Sequence, residues 1–206
     1  VPVMAAFYLL AGLVVMIMNF DLVPAAVALI FTDAFTGEAV AGGALGTVIR
    51  MGVARGVFSN EAGLGSAPLA AAAAKTDLPG RQALVSMTQV FIDTIVICSI
   101  TGITIVMGGL YTGDTTAADL TSATFGKFLG QTGSVIVAVG LLFFASSTII
   151  GWSYYGEKCF SYLFSKSVVL YYRIAFVVAV FIGAISQLEV VWGVADVMNG
   201  LMAFPN

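Results

Sequence analysis

Residues 1–20 and 133–156 carry no charged side chain, and each run is long enough to cross a ~30 Å hydrocarbon core as an α-helix. Such runs are out of place in a water-soluble fold, where a surface helix sets its apolar stripe against a charged face. The rest of the chain points to the same solvent. Apolar residues make up 60% of the 206 residues and charged ones only 9%, against about 25% charged in a soluble domain. Too few polar groups exist to coat a surface of this size, so lipid must do so. Inside lipid every backbone N–H and C=O has to be paired within the protein, which leaves helices for runs of this length. The fold class is an all-α polytopic membrane protein, with residues 1–206 forming a single transmembrane domain.

Composition also removes several function classes. The net charge is -3 with no basic stripe, so nucleic acid is not a partner. The sequence holds no histidine, which rules out Ser–His and Cys–His catalysis and His-ligated zinc. Cys98 and Cys159 stand far apart in apolar surroundings, without metal spacing, and are expected as small buried hydrophobes. There is no Walker loop and no G-x-G-D pair, so the chain is not expected to be an enzyme. It opens at Val1 inside an apolar run with no basic leader, as expected of a fragment of a longer protein.

Along the chain, the expected spans are 1–20, 41–74, 83–109, 133–156, 167–186 and 190–204. Residues 24–35 are too short to cross and read as an interfacial or re-entrant helix. The polar stretch 110–132 is long enough to hold a helix of its own. Lys75, Arg81, Lys158, Lys166 and Arg173 gather at the connections 75–82 and 157–173, while the opposite connections hold only Lys127. The positive-inside rule makes the first set cytoplasmic. Glycine pairs 42/46, 52/56 and 126/130 have the small-xxx-small spacing that lets helices approach closely.

The stretch 41–74 is too long for one span and too short for two. In its middle lies RGVFSNEAGLGSAP, residues 55–68. A broken helix fits, with one half before about Phe58 and one after about Gly65. Backbone unwinds at membrane depth only where it lines a cavity, because an unpaired amide or carbonyl costs several kcal/mol in lipid. Such a break offers carbonyls to a cation or ammonium group and amides to a carboxylate. Phe58, Ser59 and Asn60 are expected at the break, Gly63 and Gly65 make the turn, and Pro68 suits the first turn of the second half. A kinked helix without a ligand would share this pattern. Arg50, Arg55 and Glu61 sit at the same depth, where an unpaired charge costs about 3 kcal/mol. They are expected to pair with one another or with Asp93 or Asp196.

A second candidate lies in Phe144-Ala145-Ser146-Ser147-Thr148. Ser147 and Thr148 stand three and four residues after Phe144, on one helix face. Two hydroxyls beside a backbone carbonyl are hard neutral oxygens suited to Na+, though interhelical hydrogen bonding would use the same residues. Trp152 extends that face and either walls a substrate pocket or anchors the helix at the interface. Ser86, Gln89 and Asp93 form one polar stripe, and Trp192, Asp196 and Asn199 another. Buried stripes of this kind face the bundle or a cavity.

GVARGVFSNEAGLGSAPLAAAAA, followed by VFIDTIVICSITG, resembles the alanine/glycine:cation symporter family. VPVMAAFYLL, MNFDLVPAAVALIFTDAFTGEAVAGG, FFASSTIIGWSYYGEKCF and VWGVADVMNGLMAFPN are similar to it as well, so the resemblance covers nearly the whole chain. It implies a LeuT-type inverted-repeat fold, with residues 1–20 as helix five, 41–74 as the broken sixth, and the remaining spans as helices seven to ten. It implies substrate contacts from Phe58, Ser59, Asn60 and Trp152, and a Na+ site from the Phe144 carbonyl with Ser147 and Thr148. Helices one to four, absent from this sequence, would supply the other half of both sites. The expected function is uptake of a small amino acid, alanine or glycine, coupled to Na+ by alternating access, in a multi-pass protein of the cell membrane. An ion channel or pore subunit is the alternative, since channels also use discontinuous helices and neutral oxygens.

Overall fold

A computed structural model of the chain describes residues 2–34, 44–61, 63–113 and 117–205, and every regular element among them is helical. Helix α1 spans Pro2–Met18 and, after a 3-10 turn, α2 spans Val23–Ala34. Helices α3 and α4 are Ala44–Asn60 and Ala67–Ala72. Helix α5 is Pro79–Gly108, with a π-helical stretch at Phe91–Ile97. Then come α6 (Ala117–Leu129), α7 (Gln131–Leu163), α8 (Val169–Ile185) and α9 (Leu188–Ala203).

Among the described residues, three helices are long and apolar enough to cross a membrane: Pro79–Gly108, Gln131–Leu163 and Lys166–Ile185. Segments Val3–Met18 and Phe20–Asp33 meet that test as a pair bent by 83°. The apolar surface lies outside. Lys166–Ile185 has a mean hydropathy of 2.3 and buries none of its most apolar window, leaving Phe181 64% exposed. In water such a face would be a large penalty; in lipid it is the ordinary outer surface.

Several boundaries differ from the sequence reading. Helix α7 extends to Leu163, into the connection expected at 157–173, so Glu157 and Lys158 lie within a helix. At 33 residues it is ~50 Å long, more than the hydrocarbon core needs, which lets its last turns carry charge beyond it. Arg173 Nε donates to Glu157 Oε2 at 2.8 Å, and Lys158 Nζ lies 5.0 Å from the centre of the Tyr154 ring. Helix α5 starts at Pro79, where a missing N–H costs nothing. The polar stretch 110–132 contains α6, with Asp119 in its first turn and Lys127 in its last, the order that the helix dipole favours.

The chain divides into two compact units, Val1–Gly52 with Gln89–Ser146, and Val53–Thr88 with Ser147–Asn206. In the first, Tyr8, Ala11 and Val15 fall on one face of α1 and are buried with Phe125 and Val137. The Tyr8 ring stacks on Phe125 at 5.7 Å and meets Phe144 edge-on at 6.0 Å, while its hydroxyl bonds Thr101 Oγ1 at 2.9 Å. Lys127 Nζ donates to the Gly108 carbonyl at 2.8 Å, closing the C-terminus of α5, where Gly109 takes the left-handed conformation at φ 66.

In the second unit α7 and α8 meet at Gly156. A Cβ there would run into the Tyr172 hydroxyl and ring, so a larger residue would make Tyr172 shift. Phe160 and Tyr172 extend the contact, with ring centres 5.0 Å apart.

Two expectations need correction. Cys98 and Cys159 are exposed, not buried; a thiol is apolar enough to face lipid. Close helix approach holds at Gly126, where Ser134 Oγ would lie 2.5 Å from a Cβ, but among the described residues nothing lies within 4 Å of a Cβ placed at Gly52, Gly56 or Gly130. The 42/46 pair begins outside the described residues, and so do residues 41–43 of the expected broken helix.

Candidate functional site

Helix α3 ends at Asn60 and the chain resumes helix at Ala67. Between them, Glu61, Gly63 and Gly65 have φ values of 53, 72 and 75. Left-handed residues stop the i→i+4 ladder. For Glu61, which has a Cβ, the conformation costs about 1–2 kcal/mol. Leu64 and Ser66 are buried in this connection, at 4% and 2% exposure, and the Ser66 hydroxyl has no hydrogen-bond partner among the described residues. Pro68 falls in the first turn of α4, as its fixed φ favours.

The break lies slightly later than expected. Phe58, Ser59 and Asn60 are still helical and form the last turn of α3. Asn60 Nδ2 donates to the Gly56 carbonyl at 3.0 Å and holds that turn closed, and the Glu61 amide donates to the Phe58 carbonyl at 3.3 Å.

Next to this turn the second unit contains a cavity of about 320 Å³. Phe58, Thr148, Ile149, Trp152, Phe176 and Asn199 are on its wall, together with Ala195, Met198 and Met202 of α9. The volume falls at the small end of the ~300–1,000 Å³ range of ligand pockets. No charged side chain among the described residues lines it. The surface it exposes is almost wholly apolar, although Thr148, Trp152 and Asn199 are among the residues on its wall. Phe58 stacks on Trp152 at 6.3 Å with a 12° tilt and meets Trp192 edge-on at 5.7 Å. One turn earlier, Arg55 Nη1 donates to Asp196 Oδ1 at 2.9 Å, and its guanidinium carbon lies 3.8 Å from the centre of the Trp192 ring. This is one of the pairings anticipated for the charges at this depth. Glu61 makes no salt bridge among the described residues, and the Arg50 side chain lies outside them.

Of the residues singled out from sequence, the cavity unites Phe58, Trp152, Thr148 and Asn199. Ser59 and Asn60 belong to the adjoining turn but are not on the wall. Phe144, Ser147 and Thr148 follow one another in the uninterrupted helix α7. The Phe144 ring belongs to the first unit, against Tyr8, while Ser147 is half-buried and Thr148 faces the cavity in the second. Hydroxyl oxygens are hard neutral donors of the type that fits Na+.

Sequence reasoning missed Phe176, Ala195, Met198 and Met202. Apolar residues at a cavity look like any other helix face. The spacing 195/198/199/202 did hold a signal, since it continues the face marked by Asn199. The π-helical turn was also missed: the Cys98 amide reaches back to the Asp93 carbonyl, which shifts the register of the stripe begun by Ser86 and Gln89.

The family described as the sodium:alanine symporter family matches residues 1–206. The chain is 56% identical over 210 residues to the sodium/alanine symporter AgcS of Methanococcus maripaludis, an alignment that covers 100% of this chain and 46% of that protein. It is 38% identical to the amino-acid carrier protein AlsT of Bacillus subtilis and 38% identical to that organism's probable sodium/glutamine symporter GlnT, again over 100% of this chain and 44% of each. The chain thus spans about half the length of the curated relatives it matches.

Proposed function

We propose, from the premise that this chain belongs to the sodium:alanine symporter family, that it is part of a secondary active transporter coupling Na+ influx to uptake of a small amino acid, alanine or glycine. No covalent step is involved. The observation that carries the reading is the cavity that Phe58, beside the helix break, shares with Thr148 and Trp152 of α7.

The substrate lies against Phe58, Ser59, Asn60 and Trp152. Its ammonium group is drawn to the C-terminal end of the 17-residue helix α3, where the dipole is negative. The glycine turn at 63–65 brings backbone within reach of its carboxylate. The aromatic walls limit side-chain size. The Phe144 carbonyl with the Ser147 and Thr148 hydroxyls holds Na+, whose gradient supplies the driving force.

The broader architecture is a LeuT-type inverted repeat in the cell membrane, with the helices here taking the positions of helices five to ten. Helices outside this sequence complete both sites, in keeping with the 46% of the AgcS length that the chain covers. Transport then proceeds by alternating access, the break opening to one side at a time.

Uptake of labelled alanine by cells making the full-length protein, in sodium and in choline medium, tests this. Sodium-dependent uptake is expected; equal uptake in both media excludes sodium coupling.

A further inference from the structure

We propose that the corner between α7 and α8 binds an anionic phospholipid of the cytoplasmic leaflet, its headgroup held by Lys158 and Lys166 and an acyl chain lying along α8. The site is separate from the cavity and does not depend on the transport reading.

From Gly133 to Leu188 the sequence holds one acid, Glu157, and three bases, Lys158, Lys166 and Arg173. Arg173 Nε donates to Glu157 Oε2 at 2.8 Å, so the acid is spent on the arginine. Lys158 and Lys166 are both exposed, and neither makes a salt bridge among the described residues. Two positive charges at this corner are left for an anion from outside.

Their depth suits a headgroup. The charge-free run 133–156 is ~36 Å long as a helix, enough to fill the ~30 Å hydrocarbon core, so Lys158 stands just past its end. Its Nζ lies 5.0 Å from the centre of the Tyr154 ring, one turn nearer the core, a lysine and a tyrosine sharing the interface level. Lys166 opens the 3-10 turn Lys166–Val168 that leads into α8, and Ser165 Oγ fixes that turn by accepting from the Ser167 amide at 3.2 Å. The positive-inside rule puts this corner in the cytoplasm, where basic clusters beside spans attract acidic lipids.

The outer face of α8 supplies the rest. Leu170, Ile174, Val177 and Phe181 recur at spacings of four, three and four, and all are exposed. A phospholipid brings a phosphate for the lysines and a hydrocarbon chain for this stripe. A free phosphate satisfies only the first, and a packed helix would need an acid at headgroup depth.

The test follows the thermal midpoint of the full-length protein in neutral detergent as phosphatidylglycerol, phosphatidylcholine or inorganic phosphate is added. Phosphatidylglycerol should raise the midpoint by about 3 °C more than phosphatidylcholine, as a ligand of the folded state does, and inorganic phosphate should leave it unchanged. High salt should shrink the difference. Lys158→Gln combined with Lys166→Gln should lose about half of it or more, and the single variants a smaller part, which gives the result if the double variant does not fold. Lys75→Gln with Arg81→Gln, at the other basic connection, should keep it. No preference for phosphatidylglycerol in the wild type would overturn the proposal, as it would if these lysines met another helix or a second copy. So would an equal effect of inorganic phosphate, a preference that survives in the Lys158 and Lys166 variants, or an equal loss in the Lys75 and Arg81 variant.

Discussion

Arg55 and Asp196, 141 residues apart in sequence, meet through a two-pronged contact, Nη1 to Oδ1 at 2.9 Å and Nη2 to Oδ2 at 3.5 Å. The two side chains are 32% and 45% exposed, so neither is fully desolvated. Removing one partner leaves the other charge uncompensated. The loss should lie between the ~1 kcal/mol of an exposed pair and the ~3–5 kcal/mol of a buried one. Arg55→Gln and Asp196→Asn should each lower the thermal midpoint of the purified full-length protein, and the double variant should sit nearer wild type than either. Additive losses would show that the two charges act independently.

Phe58 is held between two tryptophans, with Trp152 stacked and Trp192 edge-on. Trp152→Ala removes a wall that both Phe58 and the cavity use. Alanine KM should rise by about tenfold or more, the scale of one lost aromatic contact with its buried area. Trp152→Phe should recover most of it. Kinetics unchanged in Trp152→Ala would mean that this cavity is not where substrate binds.

Thr148→Val is nearly isosteric but loses the hydroxyl. The Na+ concentration for half-maximal uptake should rise about tenfold or more, whereas Thr148→Ser should stay close to wild type, because a hard cation responds to the oxygen and not to the methyl group. The readout is a Na+ titration of uptake at saturating alanine. An unchanged midpoint in the valine variant would remove Thr148 from the ion site.

Gly156→Ala tests the fold apart from the site. Its new methyl group would meet the Tyr172 hydroxyl and ring, forcing α7 and α8 apart at a cost of about 1–3 kcal/mol. A lower thermal midpoint is expected, partly restored by Tyr172→Leu. A Gly156→Ala protein as stable as wild type would mean that the two helices are not closely held there.

The membrane class was legible because it depends on totals: lipid imposes itself on every charge-free run, whatever its partners. The interruption between Asn60 and Ala67 was legible because glycine and proline act locally, and Gly63, Gly65 and Pro68 fall where the backbone needs them. Its onset was misjudged by about one turn, since the bond from the Asn60 side chain to the Gly56 carbonyl depends on a rotamer that sequence does not reveal. The extension of α7 past Gly156 was hidden for a similar reason. Glu157 reads as a loop signal until Arg173, sixteen residues on in the next helix, is seen to neutralise it. The α9 side of the cavity stayed invisible, because Met198 and Met202 differ from lipid-facing methionines only by what stands opposite them.

Active transport itself is tested most directly by full-length protein in sealed liposomes, with an inward Na+ gradient imposed and internal labelled alanine followed over time. The account predicts that internal alanine rises above the external concentration and falls back when an ionophore dissipates the gradient. Alanine that merely equilibrates, at the same rate with and without Na+, would contradict it and describe a passive pore.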